Sequence, residues 1–203
     1  MKNQRRNFIK SSVALASLSV LPSHIIASTK KNILRTAHIG VGGMGAADLN
    51  DIASHKSVVV TGLCDVDSKA LDKASKLFPN AKVYKDYRVM LNDLKDSVDA
   101  VVVSTPDHTH APASMLAMSL NKSVYCQKPL THHVSESRAM RKLAKEKNLI
   151  TQMGIQVHSF YDYKLATLLI QSGIIGKVSS VRAWCPKNWG YDGPEPKDED
   201  PVP

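Results

Sequence analysis

The run Ile39-Gly40-Val41-Gly42-Gly43-Met44-Gly45 constrains this chain more than any other segment. An apolar stretch precedes it and an amphipathic one follows, so the glycines sit where a strand turns into a helix. In that setting the GxGxxG spacing has a mechanical meaning. Gly40 makes the tight turn, Gly42 lets the backbone approach a pyrophosphate, and Gly45 lets helix and strand lie close together. Gly43 and Met44 fall at the helix N-terminus, where unpaired N–H groups favour a phosphate. Asp65 ends the next apolar run, Val58 to Cys64, where an acid can accept from both ribose hydroxyls of a dinucleotide and repel a 2′-phosphate. It could instead cap the following helix, a role also open to Asp67 or Ser68. NAD is therefore the expected cofactor, with NADP still open through Lys69.

From Ile33 onward, short β-branched runs alternate with longer amphipathic stretches, the pattern of a parallel sheet with crossover helices. The fold class expected is α/β, a Rossmann-type doubly wound parallel sheet. Strands are predicted near 34–40, 57–64, 82–84, 98–104, 122–126 and 150–154, and helices near 44–54, 68–78, 86–94, 109–120 and 133–147. Asp67 or Ser68, Asp86, Asp107 and Thr131 are the expected helix-starting residues. A composition of 43% hydrophobic and 22% charged residues fits a soluble globular chain, and three cysteines exclude a disulfide scaffold. Cys64 and Cys126 are read as small buried residues.

The net charge of +9 invites a nucleic-acid reading, yet Lys2, Arg5, Arg6 and Lys10 supply four of those charges in an N-terminal segment without acids. The remaining excess is scattered, so no nucleic-acid partner is expected. Residues 1–28 read as an export signal: Arg5-Arg6 with Phe8 and Lys10, then an uncharged apolar run through Ala27. The pair resembles a twin-arginine signal, whose pathway exports folded proteins, so a periplasmic location is expected. An uncleaved membrane anchor and a plain basic tail stay open as alternatives.

Further motifs close the later strands: Ser104-Thr105-Pro106-Asp107-His108-Thr109-His110, and Gln127-Lys128-Pro129. With the glycine loop and Cys64-Asp65-Val66-Asp67, they resemble the Gfo/Idh/MocA oxidoreductases, the family of glucose-fructose oxidoreductase and inositol dehydrogenases. The resemblance runs from about Ile33 to Trp184. It implies a Rossmann domain joined to an α/β substrate domain, and hydride transfer to or from a hydroxyl carbon of a sugar, inositol or related polyol. It further implies that Thr105 and Pro106, with Ser104 before them, line the nicotinamide half of the cofactor, with His110 beside it. Lys128 matches the lysine of the family's Glu-Lys-Pro signature, near the nicotinamide ribose and the substrate. Gln127 stands where that signature has glutamate, so an acidic partner for Lys128 is missing from the motif.

The crevice reading supports Lys128 independently, because carboxyl ends of the strands face one cleft in a doubly wound sheet. A lysine there can donate to a substrate hydroxyl or accept its proton. An ordinary surface lysine is the alternative. His158, after the sixth strand, is read as a second catalytic candidate, equally open to a packing role. No metal site is expected, since His108 and His110 lack companion ligands, and His132-His133 reads as surface or cap.

The organisation expected is residues 33–154 as the nucleotide-binding domain and 155–203 as the start of an incomplete substrate domain. A helix is predicted from Tyr163 to Gln171 and a strand from Val178 to Trp184. That strand lacks a later partner, so either the chain stops within its second domain or a second copy pairs with it. Three functions stay open: a polyol or sugar dehydrogenase, an NAD-dependent redox-assisted glycosidase, and a non-catalytic nucleotide-binding fragment.

Overall fold

A computed structural model describes residues 33–184 of the chain. The signal-like segment 1–28 and the Pro- and acid-rich tail from 185 lie outside the described residues. Six strands, β1 (Leu34–Ile39), β2 (Val58–Cys64), β3 (Lys82–Tyr84), β4 (Ala100–Val103), β5 (Ser123–Gln127) and β6 (Thr151–Gly154), form one sheet in the order β3-β2-β1-β4-β5-β6. Every pairing is parallel. The helices between them are α1 (Gly43–Ala53), α2 (Ser68–Leu77), α3 (Tyr87–Asp93), α4 (Asp107–Ser119) and α5 (Val134–Glu146). A 3-10 turn, Gln156–Ser159, and α6 (Tyr161–Gln171) follow β6.

Two apolar clusters hold the helices to the sheet. Ala37, Ile39, Cys64, Val101 and Val103 join Met90, Ala113, Ala117 and Met140 from α3, α4 and α5. Leu63 and Val60 join Leu49, Leu71 and Ala74 from α1 and α2. Leu63 and Cys64 are neighbours in sequence yet belong to different clusters, as strand alternation requires when both faces are covered. At the centre β1 meets β2 with a one-residue shift, Thr36 opposite Val60 but Ala37 opposite Gly62. The skipped Thr61 is held by its hydroxyl, which donates to the Thr36 carbonyl at 3.1 Å.

The strand order reverses at β1, from which the chain runs outward to β3 and then returns through β4 to β6. This is the topological switch point, and the carboxyl ends of β1 and β4 open a crevice there. The predicted elements lie within about two residues of those observed, with three differences. First, α4 starts at Asp107 rather than 109, because Pro106 holds extended dihedrals and the helix begins directly after it. Second, α5 follows His133 rather than Thr131, whose hydroxyl instead bonds the His133 carbonyl at 2.8 Å and the Ser137 hydroxyl. Third, residues 178–184 form no strand. Val178, Val181 and Trp184 are exposed, and among the described residues nothing pairs with them.

Candidate nucleotide and substrate cleft

Each glycine of the turn meets a distinct spatial demand. Gly40 has φ +82°, and a Cβ there would lie 2.5 Å from the Ser104 carbonyl oxygen. A Cβ on Gly45 would lie 2.1 Å from the Gly40 carbonyl oxygen, so α1 rests directly on the backbone of the turn. Gly42 is the residue before α1, extended, with no side chain over the helix N-terminus. Gly43, at φ +48°, has nothing within 4 Å of a notional Cβ, and both Gly43 and Met44 are exposed.

Asp65 closes the loop from the neighbouring strand. One of its oxygens accepts from the Val41 N–H at 2.7 Å and the other from the Asp67 N–H at 3.0 Å. Asp67 caps α2, its carboxylate accepting from the Lys69 N–H at 2.8 Å, so Asp65 is not the cap. Each carboxylate oxygen of Asp65 keeps a further lone pair for a ligand hydroxyl. Burial, and then the charges of Asp65 and Asp86, push the adjacent Cys64 thiol up to about 12, and burial holds Cys126 at about 11. Both thiols are buried and free, as their sequence setting suggests, and neither is an activated nucleophile.

A cavity of about 450 Å³ opens at the switch point. Gly40, Gly42, Asp65, Ser104, Thr105 and Pro106 line it. Val66, Lys85, Tyr87 and His108 are also part of its wall. Lys69 lines a neighbouring hollow instead, and the cationic side chain that lines this cavity is Lys85. A nicotinamide dinucleotide fits this arrangement on two counts. The space that a side chain would fill at Gly43, in the first turn of α1, is open, and the Thr105 hydroxyl is buried with no hydrogen-bond partner, as a group awaiting a ligand is.

Two other predicted residues, His110 and Gln127, do not line the cavity. His110 is 1% exposed and bridges two loops, with Nε2 at 2.7 Å from the Thr105 carbonyl and Nδ1 at 2.6 Å from the Pro129 carbonyl. Carbonyl oxygens only accept, so each ring nitrogen of His110 faces an acceptor. Gln127, at 4% exposure, accepts from the Lys128 N–H at 2.9 Å and donates to both oxygens of Asp48, at 3.1 and 3.2 Å. The Ser104 hydroxyl donates to the same carboxylate at 2.6 Å. The acid missing from the motif at 127 thus stands at 48. Asp48 is absent from the sequence-based site, although its spacing on α1 beside the buried Gly45 and Leu49 is a legible sign of an inward carboxylate.

Lys128 and Pro129 are exposed at the end of β5. His158 is exposed on the 3-10 turn, its ring stacked on Tyr163 with centroids 5.3 Å apart. It does not line the cavity at the switch point. The same turn reaches the glycine loop through Gln156, whose amide lies 3.4 Å from the Met44 sulfur.

A family model described as an oxidoreductase family with an NAD-binding Rossmann fold matches residues 34–155. The chain belongs to that family. Among its curated relatives is an inositol 2-dehydrogenase of Salmonella typhimurium, 31% identical over 151 residues, covering 73% of this chain and 44% of the relative. A glycosyl hydrolase family 109 protein of Shewanella pealeana is 24% identical over 206 residues, covering 88% of this chain and 45% of the relative. The crystal structure of myo-inositol 2-dehydrogenase from Lactobacillus plantarum superposes with a TM-score of 0.67 at 28% identity, over 72% of this chain and 43% of that one. The chain therefore spans less than half the length of the curated relatives it matches.

Proposed function

We propose that this protein is a nicotinamide-dependent oxidoreductase that moves hydride to or from a hydroxyl carbon of a sugar, inositol or related polyol. The observation that carries this reading is that the glycine turn and Asp65 line one cavity with Thr105, whose hydroxyl is buried and unpartnered. The cofactor, when bound, supplies the hydride acceptor or donor at C4 of its nicotinamide ring. The first turn of α1 binds the pyrophosphate, Asp65 the ribose hydroxyls, and the Thr105–Pro106 loop orients the ring. Lys128 holds the substrate hydroxyl and relays its proton to solvent as the carbon is oxidised. His158 is the candidate substrate contact on the segment after β6.

Calorimetric titration of the full chain with NAD and NADP tests the first half of this reading, and substitution of Gly42 by Val tests the cradle. Saturable NAD binding that the variant loses is the expected result. Absence of binding by a folded chain removes the reading. NADH formation across a panel of inositols and sugars then identifies the substrate class. The glycosyl hydrolase relative favours a second reading, in which a ring hydroxyl is oxidised and later re-reduced, so that the aglycone leaves without net cofactor change. Net NADH accumulation separates the two.

Export through the twin-arginine-like segment belongs to the same proposal. Arg5→Lys with Arg6→Lys is expected to leave the protein in the cytoplasm of its host, as fractionation would show. Secretion unaffected by the pair would remove the periplasmic assignment.

A further inference from the structure

Asp48 connects three parts of the cleft that the chain visits far apart in sequence. It lies on α1 at 8% exposure, one helical turn beyond the glycines. Its oxygens accept from the Ser104 hydroxyl, just before Thr105, and from the Gln127 amide. Gln127 in turn accepts from the backbone N–H of Lys128. The order of donors is fixed along this chain. Were the Gln127 amide reversed, its NH₂ would face the Lys128 N–H and its carbonyl would face the carboxylate, two like pairs in a buried place.

We infer that Asp48 is the positioning residue of this cleft, holding the Thr105 and Lys128 loops in register with the glycine turn. The inference rests on the cofactor reading above. It places at 48 the buried negative charge that the Glu-Lys-Pro signature would put at 127, across one hydrogen bond. It follows that the charge can be exchanged between the two positions but not removed or doubled. Asp48→Asn alone removes the charge and leaves the Gln127 amide one acceptor oxygen where it had two. Gln127→Glu alone sets two carboxylates against each other. With both changes together every hydrogen bond regains a donor and an acceptor: Ser104 to the Asn oxygen, the Asn NH₂ to the Glu, and the Lys128 N–H to the Glu.

The experiment is a double-mutant cycle on the full chain, titrating NAD and, separately, ADP-ribose, which lacks the nicotinamide. Each single variant is expected to lose ~10-fold or more in NAD affinity, and the double variant to recover to within ~3-fold of the parent. ADP-ribose affinity should stay within ~2-fold throughout, because the glycine cradle and Asp65 are untouched. Parallel loss of ADP-ribose binding would reduce Asp48 to a structural prop and overturn the inference, as would a double variant no better than the singles or singles equal to the parent. If Asp48→Asn does not fold, Gln127→Glu and the double variant carry the same comparison. A parent chain that fails to bind NAD overturns the cofactor reading and this inference with it. A parent that binds while the cycle shows no coupling overturns this inference alone.

Discussion

Asp65 has two duties, and its substitution separates them. Its carboxylate holds the Val41 N–H and the Asp67 N–H, and its charge faces the cavity that Lys85 also lines. Asp65→Ala is expected to weaken NAD binding by roughly 10- to 100-fold, since hydrogen bonds to a charged acceptor are lost from both loop and ligand. NADP binding should fall less, because a repulsion disappears while Lys85 stays; equal losses in paired calorimetric titrations would count against ribose selection. At Gly45 the demand is steric. A methyl group 2.1 Å from the Gly40 carbonyl has backbone in its way and must push α1 off the turn. Gly45→Ala should therefore cost about 1–3 kcal/mol in denaturant unfolding and abolish measurable NAD binding. These residues were legible because their spacing expresses a backbone constraint. For Asp48 only the inward direction was legible; its partners Ser104 and Gln127 are remote in sequence, and only the fold brings them within hydrogen-bond reach.

Helix boundaries show how far local chemistry decides an element. Asp67 and Asp86 are caps in sequence and in structure, each accepting from the N–H two residues on, at 2.8 Å. Asp67→Ala is expected to lower stability by about 1 kcal/mol with the denaturant m-value unchanged. A changed m-value would instead mean that α2 loosens beyond its first turn. Thr131 carries the same chemistry but spends its hydroxyl on His133 and Ser137, and the helix begins two residues later. The stretch 178–184 fails for the opposite reason. Its residue types suit a strand, but a strand is made by its neighbour, and the described residues offer none. The centre of the sheet was readable because a parallel strand buried on both faces appears as a β-branched run, as in Ala100-Val101-Val102-Val103, whereas the edge strands β3 and β6 are largely exposed.

Acid sensitivity belongs to the whole molecule, and one residue in the middle of the sheet sets where it begins. His38, on the central strand β1, is 1% exposed, and only its Nε2 has a partner, the Thr36 hydroxyl at 3.1 Å. Burial lowers its pKa from 6.5 to about 4, so the folded chain keeps this ring neutral. Between those two values the unfolded chain binds a proton that the folded chain does not, and stability rises with pH. The contribution is intact above the unfolded value, declines as pH falls through the interval, and is exhausted below the folded value. The decline amounts to about 2 kcal/mol between about pH 7 and about pH 5. Carboxylates lose their contribution in a later window. The guanidinium of Arg35 holds Asp99 below the usual range, and the Tyr84 hydroxyl and Lys82 do the same for Asp93. Their stabilisation is lost only once the pH falls below the ordinary carboxylate value. Urea unfolding at the two pH values, on the parent and on His38→Gln, measures the first window by itself. The glutamine can still bond Thr36 but cannot titrate, so the variant should be less stable at the higher pH and show a flattened dependence. An equally steep fall in the variant would move the origin of acid sensitivity away from β1.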